Sequence, residues 1–424
     1  NCKRKLINMK NSYDNDIVAG IDIGSENIFC SIGIVEENKN NIKLLGLGKS
    51  SVKDSFKKGA ITNRNKLLEL LEIAVNEAEL MAEKKIDNAY MAITGDHIRC
   101  MNTQGAIALN RNKANGTVEN NPISQKDIDR VLELTQGIAL PPDRDILHTI
   151  PQEFIVDTLE KIDDPIGLTG RRLEGHVHLV TASTTGMKNL MESAEELGIN
   201  INGLVFKPLA SAMPTLTNDE IKLGVSLIDI GSTTTSIAVF NEGAIRHSAV
   251  IPIGSSSITN DIAVMLRISI DEAEAIKIKY ASAKSSLSSQ KLEFEIPSSE
   301  EKQSISENEL SQYVEARMEE IFQLALTEIK RAGINNNLTY GVVLTGGGAQ
   351  LRNVIPLANE LLDMPVRLGK PINHLIGNKD FADDPVYSTT LGLLLWPLLS
   401  NEQKTMQHSL IPWLDNIKQI FKDF

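Results

Sequence analysis

The alternation of apolar and polar positions first predicts a run of strands. Ile17-Val-Ala-Gly-Ile-Asp-Ile-Gly-Ser25 has the pattern of a buried strand that runs into a glycine turn. A second strand is expected at 28–35, a polar turn at 36–41 and a third strand at 42–49. The period then changes. From Asn65 to Lys85, the residues Leu67, Leu68, Leu71, Ala74, Val75, Ala78 and Met81 recur at helical spacing and form one apolar stripe. Three strands followed by a helix departs from the strict strand–helix–strand beat of a dinucleotide-binding sheet.

The most informative pattern is a repeat. Ile21-Asp22-Ile23-Gly24-Ser25 returns 207 residues further on as Ile228-Asp229-Ile230-Gly231-Ser232. Each copy leads into an alternating apolar strand (28–34 and 236–240) and then into another strand (42–49 and 244–253). Two related halves, each opening with strand, glycine turn and strand, predict a duplicated α/β domain with a cleft between the copies. Residues 96–173 lie between them and carry their own strand and helix signals. These include a Ser124 cap with Asp127 three positions on, and a break at Pro141-Pro142. This stretch reads as an inserted subdomain. After the second copy, 255–281 is expected to be helical, and 282–304 is rich in Ser with a weak strand signal. Residues 307–332 form a long amphipathic helix, and Tyr340-Gly-Val-Val-Leu-Thr-Gly-Gly-Gly348 is a buried strand ending in a glycine cluster.

Composition narrows the choice. The 424 residues are enough for two or three domain-sized cores. A formal net charge of −12 disfavours wholesale binding to nucleic acid phosphates. Cys2, Cys30 and Cys100 have neither disulfide-framework nor zinc spacing, which fits reduced thiols. No apolar run reaches the roughly 18 residues of a membrane span, and the densest, Leu391–Leu399, is too short. Residues 1–16 have Lys3, Arg4 and Lys5 with no apolar segment behind them. They are expected to be a disordered leader rather than a signal peptide, with Met9 as an alternative start.

The chemistry sits at the turns. Backbone N–H groups around Gly24-Ser25 and Gly231-Ser232-Thr233-Thr234 can form nests for phosphate oxygens, with the hydroxyls as further donors. Glycine is expected there for close approach and for positive φ. Asp22 and Asp229, two positions before their glycines, would face the same cleft and suit Mg²⁺ held through water. Gly346, Gly347 and Gly348 end a strand before a helix expected from Leu351 onward, and would let backbone reach a phosphate or a base. A single Asp-x-Gly is usually just a hairpin turn; two copies with a third glycine cluster argue for a site. Gly48-Lys49-Ser50 imitates the end of a P-loop. It is rejected, because Lys43 stands where the first glycine is needed and the segment reads as a strand. His176 and His178 alternate on one strand and read as structural or surface residues.

Two Asp-x-Gly turns followed by a Gly-Gly-Gly turn resemble the actin, Hsp70 and sugar-kinase superfamily. Within it, several stretches in collinear order resemble the FtsA family of bacterial cell-division actins. They include His148-Thr-Ile-Pro-Gln-Glu-Phe154, Asp164-Pro-Ile-Gly-Leu-Thr-Gly170, Gly243-Ala-Ile-Arg-His247, Asp271-Glu-Ala-Glu-Ala-Ile-Lys277 and Asp384-Pro-Val-Tyr-Ser-Thr389. The resemblance runs from about 17 to 398. It implies an α/β, duplicated actin-like (ribonuclease-H-like) two-lobed ATPase fold with a small α/β subdomain inserted in the first lobe. The first lobe would comprise 17–95, 174–221 and 373–398, with 96–173 as the insert. The second lobe would comprise 222–254 and 331–372, with 255–330 as its subdomain.

The resemblance also implies a function. ATP with Mg²⁺ would bind between the lobes, and the protein would form head-to-tail filaments. These would attach the tubulin-like ring protein FtsZ to the cytoplasmic face of the inner membrane and recruit later division proteins. The FtsZ contact would lie in 255–330. In actin-fold relatives the Ala-Glu-x-Ile-Lys pattern contacts the nucleoside, here Glu274 and Lys277; a surface ion pair is the other reading. Several hydrolysing relatives place Glu or Gln just before an apolar helix between the lobes, whereas this chain has Lys207. A lysine is a poor base for orienting water, so at most weak ATPase activity is expected and the chain is not read as an enzyme.

The terminal stretch adds a membrane element. Trp413, Leu414, Ile417, Ile420, Phe421 and Phe424 fall on one helical face in 410–424, after a polar linker at 399–409. This resembles the family's amphipathic membrane-targeting helix; docking onto its own domain is the alternative. Two lysines balanced by two aspartates predict weak attraction to anionic lipid. A monomer should bind reversibly and a polymer tightly. Among competing functions, a related pilus-assembly ATPase shares much of the core. A sugar or acetate kinase needs a carboxylate base that does not stand near either turn, and an Hsp70-like chaperone needs a peptide-binding domain for which too few residues remain.

Overall fold

The computed structural model describes residues 17–36, 41–52, 55–109, 111–114, 117–291, 293–295, 304–334, 338–372, 375–376, 381 and 383–401. The expected leader at 1–16 lies outside the described residues. So do Trp413, Leu414, Ile417, Ile420, Phe421 and Phe424, the positions expected to face a membrane, and most of the expected linker before them.

Three antiparallel strands open the chain: β1 (Ile17–Ile23), β2 (Asn27–Val35) and β3 (Ile42–Ser51). Helix α1 (Arg64–Ala82) follows. Asn63 caps it by accepting from the Lys66 N–H, and Glu83 ends it in the left-handed conformation. Its buried stripe is Leu67, Leu70, Leu71, Ala74, Val75 and Ala78. Leu70 joins the expected stripe, while the expected Leu68 is half-buried and Met81 is largely exposed at the sheet's edge, its sulfur accepting from the Leu47 N–H of β3. Gly46 and Gly48 of β3 lie beneath this helix; a Cβ on Gly48 would fall 1.9 Å from the Ala74 carbonyl oxygen. Strand β4 (Asn88–Ile93) pairs parallel to β1.

The chain then leaves the first sheet. Strands β5 (Arg99–Ala108), β6 (Arg144–Val156), β7 (Leu159–Ile162) and β8 (Arg172–Ser183) form a separate antiparallel sheet ordered β7-β6-β8-β5. Helix α2 (Gln125–Thr135) covers it, with the Asp127 carboxylate accepting from the Ser124 N–H as expected of the capping pair. Ile128, Val131, Phe154, Leu173 and Val177 make this unit's own core. The boundary expected at 173 needs correction. Strand β8 pairs with β5 and β6 up to Thr181 and beyond, so the inserted sheet continues to Ser183, where the Ser183 side chain caps the next helix.

Helix α3 (Thr184–Glu195) and strand β9 (Asn200–Phe206) return to the first sheet, which reads β9-β4-β1-β2-β3 plus a late two-residue strand. Helix α4 (Lys207–Thr215) follows directly, buried from Pro208 to Thr215, and α5 (Asn218–Leu223) is opened by a Thr217/Glu220 capping box. The second copy then begins. β10 (Val225–Ile230), β11 (Thr235–Asn241) and β12 (Ala244–Ile251) are antiparallel, like β1 to β3. The stretch expected to be helical over 255–281 forms two helices, α6 (Ser255–Leu266) and α7 (Ile270–Tyr280). Arg267 at φ +55° ends the first, and Ser269 with Glu272 caps the second.

A two-stranded ribbon, β13 (Glu293–Glu295) and β14 (Ser304–Ser306), leads to α8 (Glu307–Arg331). Then come β15 (Val342–Thr345), α9 (Val354–Leu362) and β16 (Val366–Leu368). The second sheet reads β16-β15-β10-β11-β12, parallel across its first two pairings and antiparallel across the rest. The first sheet has the same order and the same pattern from β9 to β3. The repeat in the sequence is therefore a repeat of topology. Strand β17 (Leu375–Ile376) joins the edge of the first sheet, and α10 (Ser388–Asn401) packs against β1 and α4. Helices α4 and α10 thus lie between the two sheets and bring buried residues to the cleft.

Candidate functional site

The two repeated turns meet face to face. In each, the glycine N–H donates across the turn: Gly24 to the Asn27 carbonyl at 3.0 Å, and Gly231 to the Thr234 carbonyl at 2.9 Å. A Cβ on either glycine would sit 2.9 Å from that same carbonyl oxygen. Neither glycine has positive φ, so the expectation of a left-handed turn is corrected; the requirement is space. Across the cleft, the Ser25 and Thr233 hydroxyls hydrogen-bond at 2.6 Å, and the Lys58 N–H donates to the Thr233 hydroxyl at 3.3 Å. The start of α6 secures the second turn, with the Ser255 and Ser256 N–H groups donating to the Gly231 and Ser232 carbonyls.

Behind the turns are the two carboxylates. Asp22 and Asp229 are 4% and 1% exposed, so each must be compensated. Lys207, the first residue of α4, places Nζ 3.8 Å from Asp22 Oδ2. Burial works against its charge, but Asp22 and then Asp229 outweigh it and hold the ammonium protonated above the usual lysine range. Ser211, one turn further along α4, donates to Asp229 Oδ2 at 2.7 Å and also meets the Thr389 hydroxyl at 2.9 Å. Asp229 Oδ1 is buried without a hydrogen-bond partner, and it faces Gly346.

The third glycine cluster closes over this end. Gly346 adopts φ +82°, where a side chain would be strained, and its Cβ would lie 2.4 Å from Asp229 Oδ1. Gly348 packs as tightly on Ile230. The helix expected from Leu351 is preceded by a single 3₁₀ turn at Gly347–Gln350, and α9 begins at Val354. On the far side, Lys277 Nζ donates to Glu274 Oε2 at 2.7 Å and to the Thr259 hydroxyl at 2.9 Å. Glu274 and Lys277 thus form an ion pair, but at the cleft wall rather than on open surface. Burial, and then the facing Glu274, push the Glu26 carboxyl above its usual range.

All the residues singled out from sequence around these turns line one cavity of about 550 Å³: Asp22, Gly24, Ser25, Asp229, Gly231 to Thr234, Glu274, Lys277 and Gly346 to Gly348. The size suits a nucleotide-sized ligand. The cavity also includes Glu26, Asn27, Thr94, Gln350, Arg352 and Thr389, which sequence reasoning did not single out. Thr389 stood in a noted stretch without a role. Arg352 reaches the wall by donating to the Ala281 carbonyl, a contact between distant segments that no local pattern announces. Lys49 lines the cavity from a strand, while Gly48 beside it serves packing. His178 is structural, bridging Asn102 Oδ1 at 2.6 Å and the Ser248 hydroxyl at 2.7 Å. Among the described residues no group of three or more His, Cys, Asp and Glu could hold a metal ion.

Comparison with known proteins supplies the family. The model of the cell division protein FtsA matches residues 226–392, and that of the SHS2 domain inserted in FtsA matches 95–181. The chain is 36% identical over 392 residues to the cell division protein FtsA of Pseudomonas aeruginosa, covering 92% of this chain and 91% of that protein. It belongs to the FtsA family. The Escherichia coli K12 FtsA is 32% identical over 395 residues, covering 91% of each chain. As a member of the FtsA family, the chain has an actin-like role in cell division. Solved structures show the same fold. A PilM–PilN type IV pilus biogenesis complex chain aligns with TM-score 0.67 at 15% identity, over 90% of this chain and 98% of that one. MreB5 of Spiroplasma citri bound to ADP aligns with TM-score 0.52 at 14% identity, over 89% and 95%. The FtsA-family chain is thus a two-lobed actin-like α/β protein with an inserted SHS2 domain. Among its described residues no helix is long and apolar enough to cross a membrane.

Proposed function

We propose that the cleft binds ATP with Mg²⁺ and that nucleotide occupancy governs assembly of this FtsA-family chain into head-to-tail filaments. The observation that carries this reading is the convergence of three glycine turns from separate segments, with their hydroxyls and two carboxylates, on one cavity. Backbone N–H groups and hydroxyls at such turns suit phosphate oxygens. The ion pair of Glu274 and Lys277 and the side chain of Arg352 line the end suited to the nucleoside. MreB5 structures bound to ADP and to AMPPNP share the fold and support the choice of nucleotide.

Asp22 and Asp229 fit a Mg²⁺ that keeps its waters and leans on phosphate, because two carboxylates are too few for a protein-only cage and one oxygen of Asp229 is left without a partner. When bound, the ion would neutralise phosphate charge. This chain's residues do the remainder: the turns orient the phosphates, and α4 and α10 hold Asp229 through Ser211 and Thr389. Lys207 stands where a water-orienting carboxylate or amide would be needed, so hydrolysis is slow and ATP serves mainly to set lobe closure.

The filaments act at the cytoplasmic face of the cell membrane. They hold FtsZ through residues 255–330 and recruit later division proteins, with 410–424 as the membrane-binding segment. Co-sedimentation with liposomes, with and without ATP and an FtsZ tail peptide, tests the whole reading. ATP should raise pelleting, and deletion of 410–424 should leave the protein in the supernatant. Unchanged pelleting of the truncated chain refutes the membrane assignment; indifference to ATP refutes the nucleotide control.

A further inference from the structure

Lys207 is more than a missing base. It begins α4 directly after β9, and its side chain, 15% exposed, points its ammonium at Asp22 from 3.8 Å. Ser211 on the same helix holds Asp229. One helix therefore touches both carboxylates, and it brings a positive charge to the place where they face each other. Two buried carboxylates opposite a triphosphate form a strongly repulsive arrangement at low effective dielectric, which some cation must cancel. A lysine ammonium offers three donors on a flexible stem and can serve a carboxylate and a phosphate oxygen at once. An ammonium tethered here is present whether or not a divalent ion is.

We infer that Lys207 is a built-in counter-ion for the polyphosphate, letting this cleft hold a nucleoside triphosphate with far less dependence on a divalent cation than two carboxylates alone would allow. The inference rests on the reading of the cleft as a nucleoside triphosphate site. It assigns Lys207 a positioning and affinity role, separate from its unsuitability as a base. A lysine that merely neutralised Asp22 for the sake of the fold would affect binding with and without metal alike.

The test is the affinity of the full chain for ATP, measured by calorimetry in saturating Mg²⁺ and again in EDTA. Wild type should bind under both conditions, with affinities within about tenfold of each other. K207Q should weaken binding about a hundredfold in EDTA but only about tenfold with Mg²⁺, and K207R should follow wild type. Wild type that binds with Mg²⁺ but not in EDTA overturns the inference, as does a K207Q variant whose ratio between the two conditions matches wild type. Should K207Q not fold, as judged by circular dichroism, the wild-type ratio still decides. Wild type that binds ATP under neither condition removes the nucleotide reading itself, which is a different outcome.

Discussion

Gly392 marks the closest approach of α10 to α4, and enlarging it should disturb the site from behind. A Cβ at this position falls 1.9 Å from the Ala210 carbonyl oxygen, whereas real Cβ atoms stay beyond 3.0 Å. The helices must therefore separate by about 1 Å, or that peptide must rotate, in an interior packed at crystal density. Neither is easy. Pro214 lies in α4 four residues after Ala210, has no N–H to give that carbonyl, and puts its Cδ 3.1 Å from the same Cβ. A shift of α4 against α10 pulls apart the Ser211–Thr389 pair at 2.9 Å and loosens Asp229.

Overpacking of this kind costs about 1–3 kcal/mol. Without the clash, Gly392→Ala in a helix would instead stabilise by up to about 1 kcal/mol, so the sign of the effect is diagnostic. Urea unfolding can be followed through the fluorescence of Trp396, buried on α10 at 2% exposure. Gly392→Ala should lower the midpoint and weaken ATP binding about tenfold. A variant as stable as wild type, or more so, with ATP affinity intact, would refute the argument that this crossing positions the site.

Two further outcomes follow from buried charge. Burial pushes the His148 and His178 imidazoles down to about 3, with His247 adding to the effect on His178. Both are neutral in the fold, but in the unfolded chain they take up protons below about pH 6.5. Each histidine should therefore remove about 1.4 kcal/mol of stability per pH unit between pH 6.5 and 3. Urea midpoints that stay flat from pH 7 to pH 5 would contradict this. Separately, Arg367 donates to both oxygens of Glu220 at 2.6 and 2.7 Å, and Glu220 is 5% exposed. Arg367→Ala leaves that carboxylate buried with only its cap donors and should cost about 2–3 kcal/mol in chemical denaturation; a loss below about 0.5 would show the pair to be ornamental.

Much of the fold was legible because its signals are local. The strands at 17–23 and 225–230 announce themselves by dense β-branched and apolar residues, and the turns after them by glycine. The capping pair of Ser124 and Asp127 is readable three residues apart. Errors arose where the deciding contact was distant. Met81 and Leu70 are both apolar and both reach the first sheet, but only the depth of packing, which the sequence does not carry, buries Leu70 and leaves Met81 half open to solvent. The break at Arg267 depends on a left-handed residue of a type that gives no hint of it. The end of the insert at Ser183 rather than 173 follows from pairing with β5 as far as Thr181 and with β6 as far as Ser183, strands that lie tens of positions earlier in the chain.

The same division holds for the site. The residues that would touch a phosphate were readable, because close approach demands glycine and hydroxyl types at fixed offsets, and the duplication wrote that demand twice. The residues that hold them were not: Ser211 and Thr389 meet at Asp229 from positions 178 apart. Sequence alone therefore established a duplicated α/β framework and a set of phosphate-suited turns. Only the tertiary structure decided that those turns face one cavity and that Lys207 stands beside Asp22. The reason is physical: backbone preferences act over a few residues, whereas the environment of a buried charge depends on whatever distant segments are folded against it.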